Sequence, residues 1–244
     1  MAGRPILTDP VMGKVIALLW APAGTATEAF AAQIKATLPP LLKLAGAQHI
    51  RLNLEDAISG RGANLRQSRG PRQHDALVQF EYSGLGEALP EPICAALARA
   101  SEQWHAWQVT ASLIIANTRH PAQAGERTVG WAQMAFLTLP ERLTHTEWCG
   151  LWQNRHTAVA IETQANFEYV QNLIERPLSP GAPPYVAIVE ECFPEAALTD
   201  PFVFFDAVGD PEKFKANLDR MMESCDRFID RGTIDVIPTG QYNF

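Results

Sequence analysis

The sequence predicts an α+β fold: two fused ferredoxin-like β-α-β-β-α-β repeats forming an intramolecular dimeric α/β barrel. Three observations carry this. Strand-like apolar runs and amphipathic helices follow the same six-element order twice, over 14–117 and 128–244. A shift of about 118 positions sets Phe30, Ile34 and Leu38 on Trp148, Trp152 and His156, the same helix face in each repeat. Finally, one such unit leaves an apolar sheet face open, and a second unit in the same chain can cover it, sheet against sheet.

The elements follow in order. Residues 1–13 read as a loose lead-in. Lys14–Trp20 is a continuous apolar run suited to a buried strand, ended by Pro22 and Gly24. A helix follows from Thr25 to about Ala45, with Pro39-Pro40 expected to break or kink it. Gln48–Glu55 alternates as a strand. Residues 57–73 read as a long surface loop holding Arg61, Arg66, Arg69 and Arg72; it is either a solvated, mobile segment, the favoured reading, or a lid that attracts an anion. His74–Tyr82 is a strand, Pro92 to about Gln103 a helix, Trp107–Ala116 a strand and Asn117–Arg127 a linker. The second repeat runs as strand Gly130–Leu139, helix from Thr144 to about Thr163, strand Phe167–Ile174, strand Tyr185–Phe193, helix Pro211–Phe228 and strand Thr233–Phe244. Thr144 and Glu147 have capping-box spacing. In the paired strands Asn53 falls on Asn172, and His74, Gln79 and Tyr82 fall on Tyr185, Glu190 and Phe193.

A formal net charge of −7 argues against a general nucleic-acid surface. The four cysteines, Cys94, Cys149, Cys192 and Cys225, show no metal-site or disulfide-framework spacing. No run has the length of a membrane span. The expectation is therefore a cytoplasmic protein acting on a small-molecule substrate, with no metal, nucleic-acid or membrane partner. Its two halves serve as an internal pseudo-dimer, and association into a further homodimer is left open.

The pattern Glu147-Trp148-x3-Trp152-x3-His156, then Tyr169-Val-Gln-Asn172, then a strand ending Glu190-x-x-Phe193, resembles the EthD family of dimeric α/β-barrel proteins over roughly 129–244. The superfamily includes cofactor-free polyketide cyclases, muconolactone-type isomerases and dehydratases. The resemblance thus implies cofactor-free acid–base chemistry of the cyclase, isomerase or dehydratase/lyase type on an apolar, aromatic catabolic or polyketide-like substrate. The alternative is a non-enzymatic ligand-binding or accessory protein of a degradation pathway.

Four residues are expected to be catalytic. His156 titrates near cell pH in its ordinary state and can act as acid or base. Tyr169 and Asn172 can donate to a carbonyl or enolate oxygen, although strand alternation sends them to opposite faces. Glu190 can orient the histidine or act as base. Trp148 and Trp152 are expected to wall the substrate, against a commoner role in helix-to-sheet packing. His49 and His74 are placed at the other end of the barrel as further substrate contacts. Leu38 stands where the second repeat has His156, so the site is expected in the second half.

Overall fold

The computed structural model describes residues 12–244; the first eleven positions of the expected lead-in lie outside them. Strand β1 (Met12–Trp20) begins two residues before the apolar run that predicts it. Its alternation decides two environments at once. Val15, Ala17 and Leu19 pack outward under helices, while Ile16, Leu18 and Trp20 turn inward.

Helix α1 (Thr27–Leu44) runs through Pro39 and Pro40 rather than breaking. Each proline removes a helical N–H, but Ile34, Leu38 and Leu42 are fully buried on both sides of the pair. That packing outweighs the roughly 3 kcal/mol propensity cost of an interior proline. Strand β2 (Gln48–Leu54), strand β3 (Ala76–Ser83), helix α2 (Glu91–Ala100) and strand β4 (Gln103–Ile115) complete the first half.

Strand β5 (Trp131–Thr138) opens the second half. Helix α3 (His145–Leu151) starts at the Thr144/Glu147 capping box. A single π-helical turn (Trp152–His156) joins it to helix α4 (Thr157–Thr163). Strands β6 (Glu168–Pro177) and β7 (Tyr185–Phe193) follow, then the short helix α5 (Pro201–Phe204), helix α6 (Pro211–Asp226) and strand β8 (Asp235–Asn243). No helix of the described residues is long and apolar enough to cross a membrane.

The eight strands form one closed antiparallel barrel in the order β1-β3-β2-β8-β5-β7-β6-β4. This corrects the expected architecture. Two open ferredoxin-like sheets packed face to face are not present; β2 pairs with β8, and β4 with β6, along continuous ladders. The reason is that strand edges carry unpaired N–H and C=O groups, and closure satisfies all of them, whereas face-to-face packing leaves four edges bare. Apolar side chains lie in two layers outside the barrel, under α1 and α2 and under α3, α4 and α6. A third cluster fills one end of the lumen with Ile16, Leu18, Trp107, Met134, Phe136, Ile188 and Ile237.

The arginine-rich loop is also corrected. Residues Ser59–Leu65 form a 3₁₀ helix, and Gln67 bridges Val236 of β8. Arg61 pairs with Glu195 at 2.6 Å and Arg66 with Glu55 at 2.5 Å. Arg72 donates to the Ala21 carbonyl at 2.6 Å, and the Arg69 guanidinium lies over the Tyr185 ring. All four cations have protein partners, and the segment, still on the surface, carries a 3₁₀ turn and a β-bridge rather than irregular structure throughout.

Candidate functional site: a polar cavity at one barrel mouth

The lumen is apolar at one end and polar at the other, and strand periodicity explains the polar end. Arg51 and Asn53 on β2, Gln79 and Glu81 on β3, Glu168 and Asn172 on β6, Glu190 and Cys192 on β7, and Gln241 on β8 all turn inward. Between them the intervening residues face the helices.

Glu190 is the centre of this network and is completely buried. One carboxylate oxygen accepts from Asn53 Nδ2 at 2.8 Å and Gln241 Nε2 at 2.9 Å. The other accepts from Arg51 Nη1 at 2.8 Å and Gln79 Nε2 at 2.9 Å. Burial alone disfavours its charge, but the Arg51 guanidinium and the three amide donors outweigh that and hold the carboxyl well below the usual range. Glu168 accepts from the same Arg51 nitrogen at 2.8 Å and from Gln241 at 3.1 Å. Both carboxylates are therefore spent on Arg51 and on neighbouring amides.

Lys14 is different. Its Nζ donates to Asn172 Oδ1 at 2.8 Å, and Asn172 Nδ2 donates to the Ile188 carbonyl at 3.0 Å, which fixes the amide the right way round. Lys14 makes no ion pair within 4.0 Å among the described residues. Desolvation by burial, opposed by Glu190 and reinforced by Arg51, brings its pKa down from 10.5 to about 8.

These groups border a cavity of about 590 Å³, a volume suited to a small organic molecule. Lys14, Arg51, Gln79, Glu81 and Glu168 supply polar walls, and Phe80, Leu113, Val170 and Phe244 supply apolar ones. The expected linker crosses this mouth: Asn117, Pro121, Ala122 and Thr128 line the cavity. Two contacts pin it, Arg127 Nε to Asp56 Oδ2 at 2.7 Å and Thr128 Oγ1 to Gln241 Oε1 at 2.7 Å.

The residues expected to form the site are divided by the barrel wall. Glu190 and Asn172 lie inside. Tyr169 faces outward, as alternation requires, and packs with Trp148 and Trp152 beneath the helices. The two tryptophans are fully buried there, 4.9 Å apart, with Trp148 Nε1 donating to the Phe228 carbonyl, and neither lines the cavity. His156 sits in the same outer layer, 3.0 Å from Ser224 Oγ and against the Phe228 ring. Burial lowers its pKa to about 4, which leaves it neutral at cell pH. The expected quartet His156, Tyr169, Asn172 and Glu190 is thus not one constellation. His49 is exposed at the cavity rim. His74 lies at the other end, wedged between Trp20 and Phe136, where burial depresses its pKa to about 3.

Lys14, Arg51, Glu168, Gln79 and Gln241 were missed by sequence reasoning. Part of their signal was present: Arg51 with Asn53, Gln79 with Glu81 and Gln241 with Asn243 recur at every second position, whereas Lys14 stands alone in an apolar run. What was missing is that five strands bring them to one end.

A closed antiparallel barrel with helices outside and a half-polar lumen defines the class as an α/β barrel. Residues 140–232 match the EthD domain family, so the resemblance read from the sequence holds over that stretch. No curated protein matches the sequence. Among solved structures, an anthrone oxidase-like protein is similar at 9% identity with a TM-score of 0.52, covering 95% of this chain and 92% of its own. A protein from Fusobacterium nucleatum subsp. nucleatum provisionally named a monooxygenase follows at 7% identity and TM-score 0.44, with 96% and 94% covered. A dye-decolorizing protein from V. cholerae follows at 11% and 0.41, with 97% and 94% covered. At these identities the likeness concerns the fold, and only the first reaches a TM-score that bears on it.

Proposed function

We propose that this chain is a small-molecule enzyme that moves a proton on an apolar ligand held in the barrel mouth, with Lys14 taking and returning that proton. One observation carries the reading: a half-buried amine with no ion pair among the described residues borders a cavity large enough for a ligand. An amine with a pKa of about 8 is neutral often enough near neutral pH to act as a base, and its conjugate acid can return the proton. Arg51, held by Glu168 and Glu190, is the fixed positive charge beside a developing oxyanion. The apolar walls fit an aromatic or alicyclic carbon skeleton, in keeping with the substrate class that the EthD resemblance implies.

The test is deuterium uptake from D₂O at the acidic carbon of an enolisable aromatic ketone, followed by NMR. Lys14→Met is expected to lower the protein-catalysed rate by roughly 10²–10⁴, the usual span for general acid–base catalysis. The wild-type rate is expected to rise with pH and level off above about 8, as Lys14 loses its proton. Uptake no faster than in buffer overturns the reading; saturable binding of the ketone without uptake favours the accessory ligand-binding role instead.

A further inference from the structure

Lys14 occupies a position that suits a second kind of chemistry. Its cross-strand partner on β3 is Glu81, and the two face the same cavity. Directly opposed residues of an antiparallel pair hold their Cβ atoms about 4.5–5.5 Å apart, so a carboxyl group accompanies the amine along the wall. A second cavity of about 520 Å³ also has Lys14 and Glu81 in its wall. The other lumen carboxylates, Glu168 and Glu190, are bound to Arg51 and do not hold the amine as an ion pair. The other buried nucleophile at this mouth, the Cys192 thiol, is pushed far up by burial and by Glu190 and Glu168, and its Sγ donates to Glu168.

We propose that Lys14 is also a covalent nucleophile, which captures aldehydes and reactive ketones entering the barrel mouth as an imine on Nζ. The step balances without an oxidant or reductant. The nitrogen lone pair attacks the carbonyl carbon, and one N–H proton passes to the carbonyl oxygen, giving a carbinolamine. The Glu81 carboxylate takes the remaining N–H proton as the C=N bond forms and passes it to the departing hydroxyl, so the C–O bond breaks, water leaves and Glu81 ends as it began. The inference rests on the same cavity as the proposed proton transfer, but the two reactions can fail separately.

The experiment treats the full chain at pH 7 with benzaldehyde and sodium cyanoborohydride, which reduces any imine to a stable benzylamine, and maps the label by mass spectrometry against time. Benzaldehyde has no hydrogen α to its carbonyl, so labelling reports the nucleophile and is blind to carbon-acid exchange. The chain has five lysines, and the other four, Lys35, Lys43, Lys213 and Lys215, are internal references. Lys14 is expected to label at least about tenfold faster than each of them, because an amine of lower pKa is far more often neutral at pH 7. A folded Lys14→Arg variant keeps the charge and is expected to lose that label while the reference lysines react as before. Labelling of Lys14 no faster than the reference lysines, or its absence, overturns the proposal; if the arginine variant does not fold, the wild-type time course alone decides.

Discussion

At the scale of single residues the polar lumen is a set of dependencies. Glu190 accepts four hydrogen bonds and is fully buried, so it has no free lone pair to offer a substrate. Its value is to hold Arg51. Arg51→Ala leaves two buried carboxylates without their cation, and a loss of about 3–5 kcal/mol is expected in denaturant unfolding. The depressed pKa of Glu190 gives this pairing a pH signature. The folded carboxyl binds its proton less readily than the unfolded one, so the contribution is complete above about 4.5 and drains away as pH falls toward the folded value. His156 behaves otherwise. Lying outside the barrel with Ser224 as its polar partner, it is expected to tolerate leucine at a cost of about 1 kcal/mol for the lost hydrogen bond, with ketone exchange unchanged. A His156→Leu protein that folds but loses exchange would return the site to the helix layer.

At the scale of elements, β7 shows how one strand serves two compartments. Glu190 and Cys192 face the lumen, while Glu191 between them lies under the helices. There it accepts from Asn166 Nδ2 at 2.9 Å and Gln133 Nε2 at 3.3 Å. Among the described residues it makes no ion pair. Burial exceeds the help of these amides and raises its pKa from 4.5 to about 7. Between those values the unfolded chain has released a proton that the folded chain keeps, so this group makes stability fall as pH rises from about 4.5 to about 7. Glu191→Gln is expected to flatten that part of a Tm-against-pH curve; an unchanged slope would place the dependence elsewhere. The same outer layer contains the π turn at Trp152–His156, whose Trp152 carbonyl also accepts from Thr157 Oγ1 at 3.2 Å. The extra residue leaves Trp148, Trp152 and His156 on the inward side of the helix layer, with Trp148 against Trp152 and both Trp148 and His156 against Phe228.

At the scale of the whole molecule, closure is the controlling feature. The β2–β8 and β4–β6 ladders tie the two halves together through backbone hydrogen bonds, and the polar network crosses the same boundary through Arg51, Asn53, Glu168 and Glu190. Opening either seam exposes strand edges and strands buried carboxylates. Unfolding in urea is therefore expected as one transition, with tryptophan fluorescence and far-UV circular dichroism coinciding; Trp20, Trp104 and Trp107 report on one half and Trp131, Trp148 and Trp152 on the other. Separate midpoints for the two signals would mean that the halves melt independently.

Most strands and helices were legible in the sequence because their signals are local. Short apolar runs such as Tyr185–Phe193 mark strands, and a capping box at Thr144 marks a helix start. Alternation also sets Tyr169 and Asn172 on opposite faces. The sequence alone could not decide which face was the lumen, because both sides of these strands are buried and an apolar side chain suits either. It could not place Pro39-Pro40 inside a continuous helix, since the packing that overrides the prolines comes from elsewhere in the chain. Nor could it decide that strand edges would pair into one barrel rather than two facing sheets, which depends on where remote strands end. The candidate site belongs mostly to that second category: Asn172 and Glu190 were singled out in the sequence, but Lys14 and Arg51 were not. Lys14, Arg51, Asn172 and Glu190 are each an ordinary polar interruption of a strand, and only closure brings them within hydrogen-bond reach across as many as 158 positions of sequence.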